Sequence, residues 1–302
     1  MDLKSKIILI AGPTASGKSN FAIKLAKKIN GEIINADSMQ IYTELQILTA
    51  RPKKKDQKNI KHYLYGFQSI NKKFSTGAWL KLAVKKIKEI QKKNKTPILV
   101  GGTGLYFKSL IEGLVKMPNV PIKIRNQIRL LQKKIGQKNF YKKLLKLDPL
   151  IKKRINPNDV QRTIRAYEIK KYTKISMTDW FKNTKKVFKK DSFIKIYIDF
   201  PRLELIQRIN KRTQKMLDHG AINEVRRFSK LKIKKDNSAT KIIGIKEILK
   251  LLQDESSLNE VKDQISIKTR QYAKRQSTWA RGQMIDWQKI EPQNLKLVLK
   301  KF

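Results

Sequence analysis

Residues 12–19 combine the residue types that bind phosphate groups in many enzymes. Their sequence, GPTASGKS, has two glycines five positions apart followed by lysine and serine, which is the P-loop pattern. Backbone N–H groups of such a loop surround phosphate oxygens, the lysine neutralises them, and the serine hydroxyl reaches Mg²⁺. We predict that the loop binds a diphosphate with Mg²⁺ on Ser19, through Gly12, Pro13, Thr14, Ala15, Ser16, Gly17, Lys18 and Ser19.

An acidic residue that could serve this site stands after the second predicted strand, at Asp37. P-loop enzymes that transfer phosphate commonly place an acid at the end of a later apolar strand. Here residues 97–100 lead instead into Gly-Gly-Thr-Gly at 101–104, a loop suited to close approach by a flat ligand, with Thr103 as its hydrogen-bonding group. The alternative role for Asp37 is to cap a helix that follows it.

The elements that must position these residues alternate along the chain. Short apolar runs predict strands at 6–11, 32–36, 97–100 and 194–200. Apolar residues at helical spacing predict helices at 19–29, around 79–91, and at 202–217, 222–231, 245–252 and 258–279. Alternating strands and helices predict an α/β fold, with a P-loop parallel sheet flanked by helices.

Between 116 and 191 the pattern changes to lysine-rich amphipathic segments without a strand. Helices are predicted at 122–135, 139–147 and 158–172, and the last begins with Pro157 and Asp159 as capping elements. We therefore predict an all-helical insertion at 116–191 within a P-loop catalytic core formed by 1–115 and 192–302. The lysine runs at 53–55 and 234–235 are interpreted as solvated loops.

The charge balance favours a polyanionic partner. Lysine and arginine number 70 against 24 aspartates and glutamates, so the net charge is +46. Such an excess repels itself unless a polyanion is near, which points to nucleic acid. The alternative origin of the surplus lysines is AT-rich coding. Arginines at motif positions are therefore more informative than the lysine count.

Several classes of site are disfavoured by composition. The chain has no cysteine and only two histidines, which excludes disulfides and thiolate metal sites and argues against an imidazole-built one. Any metal is therefore expected on oxygen ligands. The apolar run at 7–11 is too short for a signal peptide or a membrane span, so we expect a cytoplasmic protein with no membrane association.

Five motifs together resemble one known family over nearly the whole length. They are GPTASGKS at 12–19, NADSMQIY at 35–42, GGTGLYFKSLIEGL at 101–114, RINPNDVQRTIRAYEI at 154–169 and TRQYAKRQSTWAR at 269–281. In this order they resemble the tRNA dimethylallyltransferases, also called tRNA isopentenyltransferases. Eukaryotic members carry a C-terminal zinc finger, and the lack of cysteine indicates the bacterial type.

The resemblance implies a reaction and roles for particular residues. With Mg²⁺, the family transfers a dimethylallyl group from dimethylallyl diphosphate to N6 of the adenosine 3′-adjacent to the anticodon. Asp37 corresponds to the proposed base, and Lys18 and Thr103 are also assigned to catalysis. Arg208 and Arg212, four residues apart, are expected at the diphosphate, with solvated surface arginines as the alternative.

The resemblance also implies contacts with the tRNA anticodon stem-loop, made in part by the helical insertion. The target base must leave its stack, and the resemblance lines its pocket with Asp37, Ser38, Met39, Gln40 and Thr103. Further contacts are implied at Arg125 and at Gln161, Arg162, Thr163, Ile164 and Arg165. A basic stripe on the last long helix adds Arg270, Lys274 and Arg281, with Trp279 interpreted as a core anchor rather than a stacking platform.

Two other functions fit parts of the sequence. A P-loop kinase of a small metabolite would explain GPTASGKS but neither the insertion nor the charge. A non-catalytic RNA-binding protein would explain the charge and leave Asp37 as a cap. The resemblance implies a monomer, and the sequence indicates no protein partner.

Overall fold

The computed structural model describes residues 3, 5–57, 59–231, 233 and 237–302. The described residues form two compact units. The sheet unit comprises those up to Ile111 and from Phe188 onward, and the helical unit is Glu112–Val187. The lysines at 234–235 lie outside the described residues, whereas Lys54 and Lys55 are exposed at the start of a short 3-10 turn.

Six parallel strands within the described residues form one sheet in the order β3-β2-β4-β1-β5-β6. The strands are β1 (Ile7–Ala11), β2 (Gly31–Asn35), β3 (His62–Tyr63), β4 (Thr96–Gly101), β5 (Phe193–Ile198) and β6 (Gln288–Ile290). The predicted α/β fold with a parallel sheet is thus confirmed. Sequence patterns missed β3 and β6, because strands of two and three residues at the sheet edges are too short to show a periodicity.

Helices of the sheet unit cover both faces of the sheet. In chain order the helices of both units are α1 (Lys18–Lys28), α2 (Thr76–Gln91), α3 (Gly104–Glu112), α4 (Ile122–Leu147), α5 (Val160–Thr173), α6 (Met177–Lys182), α7 (Arg202–Asp218), α8 (Ala221–Ser229), α9 (Ile245–Leu251), α10 (Leu258–Gln283) and α11 (Leu295–Lys301). None of the helices in the described part of the chain has both the length and the apolar character to span a membrane.

Alternate residues of the central strand β1 are buried on opposite faces of the sheet. Ile7 and Leu9 pack with Trp79 of α2, whereas Ile8 and Ile10 pack in a second cluster with α1 and α11. All five residues of β1 are buried, which is the signature of a parallel strand covered on both faces. The sheet is therefore a rigid base for the loops at its ends.

The helical unit has a core of its own, between α4 and α5. Phe140 on α4 lies 5.0 Å from Tyr167 on α5, measured between ring centroids. The two helices predicted at 122–135 and 139–147 both lie within α4, which non-helical geometry at Gly136 (φ 73°, ψ 166°) divides into two helical segments. Asp159 caps α5 as predicted, since its carboxylate accepts a hydrogen bond of 3.0 Å from the Arg162 N–H.

Glycine is required at position 101 by the approach of a neighbouring strand end. A Cβ atom at Gly101 would lie 2.0 Å from the carbonyl oxygen of Ala36. Backbone contacts of this kind cannot give way as a flexible side chain would. The turn after β4 can therefore lie against the turn after β2 only because residue 101 has no side chain.

Replacing Gly101 with alanine is expected to lower the free energy of unfolding by about 1–3 kcal/mol, the usual cost of forcing extra atoms into a packed region. Urea unfolding of this variant, a control variant and the wild type measures the change. Gly282→Ala is the control, because nothing lies within 4 Å of a Cβ atom there, and this variant should lose no stability. Equal losses in the two variants would contradict the packing argument.

Candidate active site

The predicted site residues follow three adjacent strands at one edge of the sheet. Residues 12–17 connect β1 to α1, Asp37 comes two residues after β2, and Thr103 comes two residues after β4. The strand register pairs Ala11 with Gly101 and Asn35 with Val100, so these strand ends are neighbours. Ligands of parallel α/β sheets bind at the carboxyl ends of the strands, and this edge is such a place.

The P-loop backbone forms a concave turn that ends in a helix N-terminus. Ala15 and Gly17 have positive φ angles of 67° and 85°, and the Ser16 N–H donates to the Pro13 carbonyl over 3.2 Å. No side chain caps the start of α1, so its first N–H groups can receive an anion. The buried Ser16 hydroxyl has no hydrogen-bond partner, and a Cβ atom at Gly12 would lie 2.9 Å from it.

Lys18 places a largely desolvated amine at this turn. Its Nζ donates to the Pro13 carbonyl over 3.3 Å. Burial lowers the pKa of Lys18 to about 8, the charge of Asp37 opposes that change, and the charge of Arg212 adds to it. A bound anion would stabilise the protonated amine, so the position of Lys18 favours a ligand with negative charge.

The two predicted arginines reach the same loop from α7. The Arg208 Nε donates to the Ala15 carbonyl over 2.8 Å, and its guanidinium lies over the Phe200 ring at 4.9 Å. Burial lowers the pKa of Arg212, while the charge of Asp37 raises it. Arg208 is exposed and Arg212 is half-buried, and both lie at the P-loop; their contact with a diphosphate stays a prediction, with solvated surface arginines as the alternative.

Asp37 is fixed by a turn and not by a helix. Its Oδ1 accepts from the Met39 N–H at 2.9 Å, and its own N–H donates to the Asn35 Oδ1 at 2.8 Å. The Asn35 carbonyl in turn accepts from the Trp79 Nε1 at 2.9 Å. No helix occurs at 38–53, all of which the structure describes, so the helix-cap alternative for Asp37 is wrong.

Thr103 and Gln276 connect the loops of the site. The Thr103 Oγ1 accepts from the Ser38 N–H at 2.9 Å, which joins the loop after β4 to the loop after β2. The Gln276 side chain of α10 accepts from the Thr14 N–H at 2.8 Å and donates to the Gly102 carbonyl at 3.0 Å. One amide group thus joins the P-loop to the loop after β4.

Protein atoms fill the space beside the glycines of the 101–104 loop. This corrects the interpretation of the loop as one that a flat ligand approaches closely. A Cβ atom at Gly102 would lie 2.1 Å from the Gln276 amide nitrogen, and one at Gly104 would lie 2.2 Å from the Trp279 ring. Gly104 also begins α3. Trp279 packs against the core beside the sheet, which confirms its interpretation as a core anchor.

The negative charge of Asp37 acts on three tyrosines. Burial raises the pKa of Tyr65, Tyr106 and Tyr272, and the negative charge of Asp37 raises each further. Tyr106 also stacks on Trp79 with 4.2 Å between ring centroids and 12° between ring planes. Three phenols that stay neutral at pH 7 therefore belong to the electrostatic surroundings of Asp37.

The other predicted RNA contacts of the sheet unit differ in exposure. Lys274 and Arg281 on α10 are exposed, and Arg270 is half-buried. Met39 packs against a core cluster, and the Gln40 side chain donates to the carbonyl of Thr49 at 2.9 Å. The α10 stripe thus has two exposed basic side chains, whereas Met39 and Gln40 also hold the protein loop.

In the helical unit, the segment 161–165 divides between surface and core. Gln161 and Arg162 are exposed. The Thr163 side chain is fully buried and donates to the Asp159 carbonyl at 2.6 Å, and Ile164 packs in the core of the unit. Side-chain contact with RNA at Thr163 and Ile164 is therefore excluded by burial, and their role is to hold α5 in place.

Arg125 and Arg165 of the helical unit meet at one acidic residue. The Arg165 Nη1 lies 3.2 Å from one carboxylate oxygen of Glu168, and the Arg125 Nε lies 3.7 Å from the other. Glu168 is buried, whereas both arginine side chains are about one-third exposed. The two predicted contacts thus share one anchor.

Sequence reasoning missed Gln276, Tyr65 and Tyr272 as parts of the site. Gln276 lies within the motif at 269–281, so its position could have been flagged although its bonding could not. Tyr65 lies in a turn between Leu64 and Gly66, both at positive φ, and no local pattern indicates that this turn faces Asp37.

Comparison with known proteins identifies the family. The family model described as IPP transferase matches residues 40–283. A tRNA dimethylallyltransferase of Pelagibacter ubique is 64% identical over 301 residues, covering all of this chain and 96% of the relative. This chain belongs to the tRNA dimethylallyltransferase family. A family member from Rickettsia massiliae is 44% identical over 284 residues, covering 94% of this chain and 78% of that relative.

Solved structures of tRNA dimethylallyltransferases have the same fold. The full-length tRNA isopentenylpyrophosphate transferase of Bacillus halodurans aligns with a TM-score of 0.70 at 30% identity, over 98% of this chain and 95% of that one. A eukaryotic dimethylallyltransferase acting on tRNA aligns with a TM-score of 0.82 at 29% identity, over 95% of this chain and 73% of that one.

The lowered pKa of Lys18 predicts how diphosphate affinity depends on pH. Below about pH 8 the amine is charged in the free protein; above it the charge is lost, so affinity should fall by up to about tenfold per pH unit. Isothermal titration with inorganic pyrophosphate and Mg²⁺ measures this. Lys18→Arg is the control, because arginine stays charged and the ligand's own titration is common to both proteins. A ratio of the two dissociation constants that does not change between pH 7 and 9.5 would contradict the prediction.

Proposed function

We propose that this protein transfers the dimethylallyl group of dimethylallyl diphosphate to N6 of the adenosine 3′-adjacent to the anticodon in tRNA. The observation that carries the proposal is the carboxylate of Asp37 beside the P-loop, where its charge acts on both Lys18 and Arg212. A phosphate-binding loop with a base next to it fits alkyl transfer from a diphosphate. Membership of the tRNA dimethylallyltransferase family supports the same reaction.

Asp37 would act on the nucleophile. The lone pair of adenine N6 is delocalised into the ring, so the nitrogen attacks well only as its proton leaves. In the proposed step the N6–C1 bond forms, the C1–O bond to the diphosphate breaks, and the N6 proton passes to the Asp37 carboxylate. The hydrogen bond from the Met39 N–H to Oδ1 fixes the carboxylate and leaves Oδ2 to receive that proton.

The leaving group would be stabilised by the P-loop and its cations. The electron pair of the C1–O bond goes to the diphosphate, and its developing charge meets Lys18, Arg208, Arg212 and the first N–H groups of α1. These groups are held in advance: Arg208 by the Ala15 carbonyl and Lys18 by the Pro13 carbonyl. The site therefore needs little reorganisation when the bond breaks.

The donors at the P-loop fit a magnesium ion bound together with the diphosphate. Among the described residues no three His, Asp or Glu side chains are grouped as a metal site. Mg²⁺ commonly takes only one or two protein oxygens and completes its shell with phosphate and water, so the Ser19 hydroxyl suffices. When bound, the ion would neutralise diphosphate charge.

The RNA would be bound by basic side chains of both units. The exposed basic candidates are Lys274 and Arg281 on α10 and Arg162 on α5, and the amide of Gln161 is exposed beside Arg162. We propose that the adenine is flipped toward Asp37, with Ser38 and Thr103 closing the loops around it. A net charge of +46 suits an anticodon stem-loop, and we expect a cytoplasmic monomer.

A parallel labelling assay tests the proposed reaction. Unmodified tRNA is incubated with labelled dimethylallyl diphosphate and Mg²⁺, and separately with labelled ATP, each with and without RNA. Label entering RNA from the prenyl donor alone is the expected result. Phosphate release or transfer from ATP without prenylation would show instead a conventional P-loop enzyme and would overturn the roles of Asp37 and Thr103.

Asp37→Ala is expected to slow the chemical step by about 10² to 10⁴, the usual contribution of a general base, because no group remains to take the N6 proton. Single-turnover transfer and RNA binding are measured on the same preparation. RNA affinity should change little. Asp263→Ala, at an exposed aspartate of α10, is the control and should keep wild-type rates. Equal losses of RNA binding and transfer in Asp37→Ala would indicate a structural role.

A further inference from the structure

The helical unit contains a buried carboxylate with more cations than it needs. Glu168 on α5 is only 1% exposed and lies among the buried, mostly apolar residues of that helix. Three arginines approach it. A buried carboxylate requires a charged or hydrogen-bonding partner, and one well-placed guanidinium supplies both. Two further arginines are therefore not explained by charge neutralisation.

The third arginine, Arg129, comes one helical turn after Arg125 on α4. The Arg129 Nε lies 3.8 Å from the same Glu168 oxygen that Arg125 approaches at 3.7 Å. That oxygen has no hydrogen-bond partner, and neither has the buried Arg125 Nε, so charge holds both arginines there and no hydrogen bond to Glu168 uses their terminal N–H groups. Arg165 donates to the other oxygen at 3.2 Å and to the Pro118 carbonyl at 3.4 Å.

The arginines remain accessible from outside. Their side chains are 33%, 48% and 37% exposed for Arg125, Arg129 and Arg165, whereas the Glu168 side chain is 2% exposed. One negative charge beneath three positive charges leaves a net charge of about +2 at the surface. Guanidinium groups present planar, paired donors that match phosphate oxygens.

We propose that Arg125, Arg129 and Arg165 form a single seat for the RNA phosphate backbone, which we call the arginine seat, and that Glu168 positions it. The inference rests on the proposed function for its RNA partner. It adds Arg129 as a binding residue and Glu168 as a positioning residue, neither of which the sequence motifs indicated. The competing explanation is that the cluster only joins α4 to α5.

Arg129→Ala tests the seat, because Arg129 is the most exposed of the three arginines and its loss should not unfold the unit. Binding of an unmodified tRNA transcript is followed over a range of salt concentrations. We expect the affinity to be about tenfold weaker. The slope of log affinity against log salt concentration should be smaller in magnitude by about one, which corresponds to the loss of one phosphate contact. The KM for tRNA should rise while kcat stays unchanged. Arg154→Ala, at an exposed arginine of the same unit, is the matched control for the loss of one positive charge.

Arg129→Lys separates charge from geometry. Lysine keeps the charge but loses the planar pair of donors, so the salt slope should stay near that of the wild type while affinity falls part of the way. If Arg129→Ala and Arg154→Ala have the same affinity and salt slope, the seat is overturned.

Glu168→Gln tests the positioning role, because the two explanations predict opposite changes in RNA affinity. The variant is more positive by one charge, so general electrostatic attraction predicts tighter RNA binding. Loss of the anchor predicts weaker binding, by about three- to tenfold, because the arginines no longer share one arrangement. Thermal unfolding is measured alongside, and affinity is compared below the transition. Tighter or unchanged binding by a folded Glu168→Gln would overturn the role of Glu168; if this variant does not fold, the Arg129 pair still decides the seat.

The two proposals fail in different ways. A wild-type protein that binds tRNA but transfers no prenyl label would refute the proposed reaction and leave the binding experiments valid. A wild-type protein that transfers label, with an Arg129→Ala variant indistinguishable from its control, would refute only the arginine seat.

Discussion

The charge of Asp37 beside the P-loop cations is the interaction on which the site depends. Lys18 and Arg212 both lie where burial disfavours their charged forms, and in each case Asp37 acts in the opposite direction. Uncompensated cations in such a place would tend to lose protons or draw in water. One carboxylate therefore has two tasks: it keeps the anion site charged when no ligand is bound, and in the proposed reaction it accepts a proton.

That interaction is possible because parallel strands end at a common edge. In the sheet β4 lies between β1 and β2 and pairs with both, although it follows them in the sequence and is reached only after α2. Each strand contributes a short loop, and hydrogen bonds of the Thr103 and Gln276 side chains hold these loops together. Flexible connections would not keep a carboxylate, an amine and a hydroxyl in one arrangement.

Local patterns were sufficient to predict the central strands, α1 and the P-loop, since each depends on residues close in sequence. The Asp37 site was also predictable, because the motif around it is compact. The roles of Gln276 and Glu168 were not predictable, because each role depends on partners that only tertiary packing brings close. Gln276 bonds to Thr14, 262 positions away, and Glu168 gains its arginines only when α4 packs on α5. The burial of Thr163 and Ile164 likewise follows from that packing and not from their motif.

The bridge made by Gln276 has an evolutionary consequence. A single side chain accepts from the Thr14 N–H and donates to the Gly102 carbonyl, and a Cβ atom at residue 102 would collide with it. A substitution at residue 14, 102 or 276 is therefore tolerated only if the other two residues still fit the bridge. If the P-loop changed to bind a different anion, α10 would have to change with it. The P-loop, the loop after β4 and α10 should therefore covary among relatives.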